Sequence, residues 1–366
     1  MKLGLVIYGS LDSLSGGYLY DRKLVNNLTR LGDTVDVISL PPGQPTRAGW
    51  LNYVRHLGDN LSQGLSRRLE RLEVDILLQD ELNHPSLAWI NRRLRGRVAY
   101  PVVSIVHHLR SDELRPAWQN RFYAWVERIY LKSVDGFIYN SRTTQGRVER
   151  LAGKGLPSVV AYPAANHLNP QIEQVEIIQR ARQAGPLSLF FVGNLIPRKG
   201  LHTVLEALSR LPKGEFILEV AGSLTSDPVY VDAIRQQIEK LNLSLAVHLH
   251  GALGDSQLVD NYRRAQVLVL PSSYEGFGIA YLEGMGFGLP CIGTTAGAAG
   301  EVIEEGQTGL LIPPGDSVSL ANHLRRLADD RTLLETMSLA ARRRYLSHPT
   351  WEQTAEKTRS FLQTFI

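Results

Sequence analysis

The chain has 366 residues, 43% of them hydrophobic and 21% charged, with a formal net charge of +4. That length exceeds what one core usually serves, so two domains of ordinary size are expected, and the single cysteine, Cys291, excludes an intramolecular disulfide. No stretch approaches the roughly 20 apolar residues that span a bilayer, and MKLGLVIYGS lacks a secretory signal pattern, so the expected place is cytoplasmic, with any membrane contact peripheral at the inner face.

The first run, KLGLVIYG, is apolar and ends in glycine. It is followed by the loop SLDSLSGG and an amphipathic stretch from Tyr18 to Arg30 with Leu24, Leu28 and Leu31 on one side. TVDVISLP then alternates as a second strand, completing a βαβ unit. Further strands are expected at VDILLQ (74–79), PVVSIVHH (101–108) and DGFIYNS (135–141), with helical patterns between them. Apolar strands separated by helices predict a parallel sheet covered on both faces.

Residues 1–170 hold 22 Lys and Arg against 15 Asp and Glu, whereas the remainder holds 18 against 21. A negatively charged partner therefore belongs with the first half, as a phosphorylated acceptor or an anionic membrane surface, although spread arginines also make ordinary solvated faces. The aromatic stacking pattern of a nucleic-acid module is absent, so no nucleic-acid partner is expected. From Ala117 to Ser133 the chain carries Trp118, Arg121, Phe122, Tyr123, Trp125, Arg128 and Lys132, a composition of interfacial helices, although aromatics at helical spacing also line cores.

Residues 169–185 carry no strand pattern and are expected as a linker with a charged helix. A second alternation then begins at LSLFFVGN (187–194). It continues with a helix from Leu201 and strands at FILEVAGS (216–223), AVHLHGAL (246–253), QVLVLPS (266–272), PCIGTT (290–295) and GLLIPPGD (309–316). The expected fold class is therefore α/β, with two doubly wound domains, 1–168 and 186–350, facing across one cleft, and a last helix (351–366) that returns to the first. Ligands of such sheets sit beyond the carboxyl ends of the strands.

Three motifs lie at such ends. Gly16 and Gly17, in LSGGY, follow the first strand and either make a tight turn or present amides to an anion. FVGNLIPRKG places Asn194, Arg198 and Lys199 after the first strand of the second domain, where a lysine either meets a pyrophosphate or stays solvated. YEGFGIAYLEGMGFGLP places Glu275 just ahead of a helix starting near Phe277, Gly276 and Gly278 where helix amides could touch an anion, and Glu283 in the helix with its carboxylate free for a pair of hydroxyls. Helix-entry and surface carboxylates are the plainer readings, but they leave the glycines unexplained. Acceptors around amide donors suit a molecule with hydroxyls at both ends and an anionic middle, a nucleotide sugar.

These motifs, with the histidine in IVHHL and TTAGAAGEVIEEGQTGLLIPPGD, resemble those of the retaining glycosyltransferases of family 4, whose GT-B fold pairs two Rossmann-like domains. The resemblance spans nearly the whole chain. It implies that Lys199 binds the donor pyrophosphate, Glu275 lies near the transferred sugar, and Gly276, Phe277 and Gly278 line that end of the pocket. It further implies that Glu283 accepts from the ribose hydroxyls and that Gly16 and Gly17 close over donor phosphate and acceptor. His107 would contact the donor sugar, a role adjacent His108 could take, and Glu301 would lie near the donor. The catalytic set is then Lys199, Glu275 and His107, in an N-terminal acceptor-binding and a C-terminal donor-binding domain.

The chain departs from the pattern at Asn194, where family members commonly carry a pyrophosphate-binding arginine that Arg198 could replace by turning inward, and at GMGFG, where alanines are more usual. The implied activity is transfer of a hexose from a nucleoside diphosphate sugar to the hydroxyl of a glycan, lipid or small-molecule acceptor, with retention and without cofactor or metal. A nucleotide-sugar epimerase, a phosphorylase or a catalytically silent sugar-nucleotide-binding subunit would share the fold.

Overall fold

Each apolar run of the first half becomes a strand of one parallel sheet in the computed structural model, which describes residues 1–13, 15–42 and 49–366. Leu14 of the glycine-rich turn lies outside the described residues. The chain divides into two units, residues 1–163 with 349–366, and residues 164–348.

The first unit runs β1 (Lys2–Tyr8), α1 (Gly16–Arg30), β2 (Thr34–Leu40), α2 (Gly49–Gly58), α3 (Gln63–Glu70), β3 (Ile76–Asp80) and α4 (His84–Leu94). It continues through β4 (Val102–Val106), α5 (Ala117–Leu131), β5 (Gly136–Tyr139), α6 (Arg142–Ala152) and β6 (Ser158–Val160). The sheet order is β2-β1-β3-β4-β5-β6, all parallel, with Leu3 beside Val35 on one flank and Ile76 on the other. Strands covered on both faces must be apolar throughout, and every residue of β3 and β4 is buried. Gly16 and Gly17, expected in a turn, are the first residues of α1, whose cap Ser15 accepts from Tyr18 N at 3.4 Å.

In the second unit α7 (Gln174–Arg182), β7 (Leu187–Val192), α8 (Leu201–Leu208), β8 (Phe216–Ala221), α9 (Pro228–Lys240) and β9 (Val247–Gly251) come first. Then follow α10 (Asp255–Arg264), β10 (Val267–Val269), α11 (Ile279–Gly286), β11 (Cys291–Thr294), α12 (Ala299–Val302), β12 (Gly309–Ile312), α13 (Ser317–Asp329) and α14 (Arg331–Leu346). The order β9-β8-β7-β10-β11-β12 is that of the dinucleotide-binding doubly wound sheet. The segment expected as a linker belongs to this unit. Within α7, Arg180 is buried and donates to the carbonyls of Arg263, Phe287 and Gly288 at 3.1, 2.7 and 3.0 Å, tying the ends of α10 and α11 to the helix.

The last helix, α15 (Trp351–Leu362), packs on α1 in the first unit. Trp351 lies edge-on to Tyr20 at 5.7 Å, and Arg359 donates to both oxygens of Asp33 at 2.7 and 3.1 Å.

Candidate functional site

The second sheet changes winding direction between β7 and β10, neighbours from which the chain proceeds to opposite edges. Loops leaving two such strands diverge and open a crevice at their carboxyl ends. Lys199 follows β7 and Glu275 follows β10, so the topology itself brings them to one place.

After β7 the backbone turns through Gly193 and Asn194 into a short 3-10 turn, Pro197–Lys199. A Cβ at Gly200 would overlap the Pro271 carbonyl, so glycine lets this turn lie directly on the loop after β10. Ser273 N donates to the Arg198 carbonyl, and the Arg198 guanidinium donates to the Tyr274 carbonyl, each at 2.8 Å. Lys199 Nζ donates to Glu275 Oε1 at 2.7 Å, while Arg198 lies 3.8 Å from Oε2. Arg198 therefore turns toward the carboxylate, whereas Asn194 Oδ1 accepts from Ser223 N at 3.4 Å.

Burial disfavours the charge on Glu275, but Lys199 and Arg198 outweigh it and hold the carboxyl down to about 2. Lys199 is balanced the other way: burial lowers its pKa, Glu275 only partly offsets this, and Arg198 adds to the lowering. The result is a carboxylate and a cluster of two cations at the end of the sheet.

Next to them, α11 opens at Ile279, two residues beyond the expected start, with Gly278 at φ 93° as its cap. Its first amides have no acceptor within the helix and carry the positive end of its dipole. Phe277 is buried, with its ring 5.7 Å from that of His348, and Gly276 is half-buried in the loop between Glu275 and the helix. The Glu275 carbonyl accepts from Ala298 N at 2.8 Å, which brings the start of α12, and with it half-buried Glu301, to the same strand ends.

Glu283, in the second turn of α11, is not free as expected. Tyr262 Oη donates to its Oε2 at 2.7 Å and His167 Nε2 lies 3.2 Å from its Oε1. Burial raises its pKa, but the His167 and Tyr262 contacts and the Lys199 charge bring it below the usual carboxylate range. Each oxygen keeps a second lone pair for an incoming donor. Tyr262 is itself clamped, stacked on Phe287 at 5.3 Å and edge-on to Phe190 at 5.0 Å. Neither Tyr262 nor His167 was singled out from sequence, because an aromatic in a helix and a lone histidine carry no spacing signal.

The three glycines that follow Glu283 have packing reasons. A Cβ at Gly284 would come within 3.0 Å of Leu268 on β10, and one at Gly286 within 2.9 Å of Pro170 and 3.1 Å of Tyr345. Gly288, at φ 69°, closes the helix: Leu289 N and Gly288 N donate back to the Gly284 and Met285 carbonyls at 2.9 Å, a Schellman motif. Alanines would hold α11, and Glu283 with it, farther from the sheet.

In the first unit the corresponding reversal lies between β1 and β3. His107, just past β4, packs on the start of α1, where a Cβ at Gly17 would come 3.2 Å from its ring. Its Nε2 is 3.0 Å from Asp21 Oδ1, and Asn140 Nδ2 donates to its carbonyl at 2.7 Å. Burial alone would lower the His107 pKa, but Asp21, Asp80 and Glu81 raise it to about 9. Burial, with Asp21 beside it, pushes the Asp80 carboxyl up to about 8. Neighbouring His108 pairs with Glu113 at 3.1 Å.

One donor atom from each of Asp21, Asp80 and His107 lies within 4.8 Å of the others, as does one from each of Glu81, His84 and Glu127, so both sets have the dimensions of an ion site. In the first, His107 Nε2 is already hydrogen-bonded to Asp21 Oδ1. Among the described residues the second unit has no such group.

The family described as glycosyl transferases group 1 matches residues 174–344, and the glycosyl transferase 4-like domain matches residues 17–163. A glycogen synthase of Mycobacterium tuberculosis is 29% identical over 75% of the chain, a match that spans 64% of that protein's length. The MMP alpha-(1->4)-mannosyltransferase of Mycolicibacterium hassiacum is 25% identical over 98% of the chain and 97% of its own length. Among solved structures, a sucrose-phosphate synthase from Thermosynechococcus elongatus superposes with a TM-score of 0.81 at 20% identity, covering 99% of this chain and 98% of its own. Anabaena HepE in complex with UDP-glucose superposes at 0.75, also at 20% identity, covering 100% and 99%. The chain belongs to the group 1 glycosyl transferases, family 4, and has their GT-B fold.

Proposed function

We propose that the protein transfers a hexose from a nucleoside diphosphate sugar to an acceptor hydroxyl, with retention at the anomeric carbon. The observation that carries this reading is the meeting of Lys199, Arg198 and Glu275 at the switch point of the second sheet, beside the opening amides of α11. Two cations and a helix N-terminus suit a pyrophosphate. Glu283, fixed by Tyr262 and His167, suits the ribose hydroxyls.

In this reading the acceptor oxygen attacks on the face from which the pyrophosphate leaves, and the departing phosphate oxygen takes the acceptor proton. No strong general base is then required. Lys199 and Arg198 stabilise the charge that grows on the leaving group, which is the largest contribution such a site can make. Glu275 holds both cations in place before substrate arrives and lies near the transferred sugar. Gly276, Phe277, Gly278 and Glu301 border the donor, and Asn194 fixes the loop instead of binding phosphate. In the first unit Gly16, Gly17 and His107 meet substrate, with His107 held charged by Asp21. The clamp needs neither metal nor cofactor.

The test is release of nucleoside diphosphate with UDP-glucose, the sugar nucleotide seen in HepE, as first donor, across glycan, lipid and soluble acceptors. Acceptor-dependent release and a product of unchanged anomeric configuration support the proposal. Release that ignores acceptor would indicate a hydrolase or epimerase, and inversion would overturn retention.

A further inference from the structure

The helix α5 has two faces of different chemistry. Tyr123, Val126, Tyr130 and Leu131 are buried in the first unit, and Glu127, the acid of this helix, turns inward, where it accepts from Ser111 N at 3.1 Å. The outward face is a single stripe, Trp118, Arg121, Trp125, Arg128 and, at the helix end, Lys132, spaced by three and four residues as one side of a helix requires.

Trp118 is 58% and Trp125 53% exposed. They are not isolated. Trp118 lies edge-on to Trp50 of α2 at 5.3 Å, and Trp125 lies 6.0 Å from Trp89 of α4, with Phe122 between them at 5.2 Å from Trp50 and 5.9 Å from Trp125. Four of the chain's five tryptophans thus share one surface. A contiguous aromatic patch of this kind marks an interaction site, unlike scattered single apolar residues.

The charge on the patch has one sign. Arg121, Arg128 and Lys132 lie on the stripe, and exposed Arg92 and Arg93 follow Trp89 by three and four positions on α4. Among the described residues none of these five cations has an ion-pair partner. The stripe thus combines indole rings with cations of one sign. Indoles favour the boundary between headgroups and acyl chains, and unpaired cations favour anionic lipid.

We propose that the α2–α4–α5 face of the first unit docks on an anionic bilayer surface, Trp118 and Trp125 entering the headgroup layer while Arg121, Arg128 and Lys132 meet lipid phosphates. At 15 residues α5 is too short to cross a bilayer, and no helix among the described residues is long and apolar enough to do so. The contact lies along the surface.

The experiment is co-sedimentation of the whole protein with vesicles of phosphatidylcholine alone or mixed equally with phosphatidylglycerol, with no nucleotide or sugar present, so it holds or fails independently of the transfer reaction. Wild type is expected to bind the anionic vesicles about tenfold more tightly than the neutral ones, less so in high salt, with a blue shift of tryptophan emission. Trp118→Ser with Trp125→Ser should lose about tenfold in binding together with the blue shift. Arg121→Gln with Arg128→Gln and Lys132→Gln should lose the preference for anionic lipid. All these positions are exposed, so far-ultraviolet circular dichroism should match wild type. Wild type that binds neither vesicle, or that binds both equally, would overturn the proposal. So would a wild-type dimer that the tryptophan pair dissociates without any vesicle binding, which would make the face a protein interface.

Discussion

Lys199 Nζ and Glu275 Oε1 are 2.7 Å apart although 76 positions separate the two residues in sequence. The lysine proposed to receive pyrophosphate is therefore already engaged, and donor phosphate must share it with a carboxylate. Removing that charge should strengthen the attraction of the site for anions. Glu275→Gln is predicted to bind a nucleoside diphosphate several-fold more tightly in calorimetry while transfer falls. Weaker nucleotide binding would mean that Glu275 touches the nucleotide itself.

Removing the cation has the opposite outcome. A charge-assisted hydrogen bond is worth about 1.5–3 kcal/mol, so Lys199→Ala should lower kcat/KM by roughly ten- to a hundredfold. It also takes the nearer cation from buried Glu275 and leaves Arg198 at 3.8 Å, so thermal unfolding should show a loss of about 1–3 kcal/mol. Unchanged turnover would remove Lys199 from the clamp.

Arg198 is predicted to carry the charge that the family places at position 194. Arg198→Ala should raise the donor KM, and adding Asn194→Arg to that variant should restore part of the loss. If Asn194→Arg improves wild type and Arg198→Ala has no effect on steady-state kinetics, Arg198 serves only the loop, through the Tyr274 carbonyl and Glu275.

The strands were legible because most of the apolar runs are bounded by glycine or proline, whereas Gly16 and Gly17, expected in a turn, open α1. Every strand expected from those runs is present, and β6 escaped because it is three partly exposed residues. The pairing of Lys199 with Glu275 was not legible, since it depends on β7 and β10 being neighbours, a property of strand order. The Glu283 partners were hidden for the same reason: His167 lies 116 positions upstream and Tyr262 21 positions away across the helix–strand junction. The glycines of GMGFG stand out in sequence, but their reasons, Leu268, Pro170, Tyr345 and Ile177, come from three other elements and a loop.

One of those glycines gives a packing prediction. A Cβ at Gly288 would meet Ile177 Cδ1 at 2.7 Å, and a left-handed alanine costs roughly 1–2 kcal/mol by itself. Gly288→Ala should lower the melting temperature, and Ile177→Val in that background should recover part of the loss, because it deletes the crowded methyl. Strictly additive effects in the double variant would show that Ile177 yields without cost.

The buried acids of the first unit set a pH dependence. Burial, chiefly, lifts Asp80 from 3.8 to about 8 and Glu81 from 4.5 to about 7, so between about pH 4 and pH 8 the folded state holds protons that the unfolded chain has released. His84, lowered to about 4 by burial, opposes them below about pH 6.5, and above that the contribution of the two acids to stability falls as pH rises. His107 adds the same sign, since the stability from its charged form is complete below about 6.5 and lost as pH rises through about 9. Asp80→Asn fixes the neutral form, and its melting temperature should decline less than that of wild type between about pH 6 and pH 9. Equal declines would place the ionisation elsewhere.

The most direct test of the donor site is a thermal-shift panel of UDP-, GDP-, ADP- and dTDP-sugars against wild type, Lys199→Ala and Glu283→Gln. Ligand at a hundredfold excess over Kd stabilises by about 2.7 kcal/mol, enough to read as a shift of the transition. One nucleotide class should stabilise wild type, and both variants should lose that stabilisation. Stabilisation that survives both substitutions, or none from any sugar nucleotide, would contradict a donor site built on Lys199, Glu275 and Glu283.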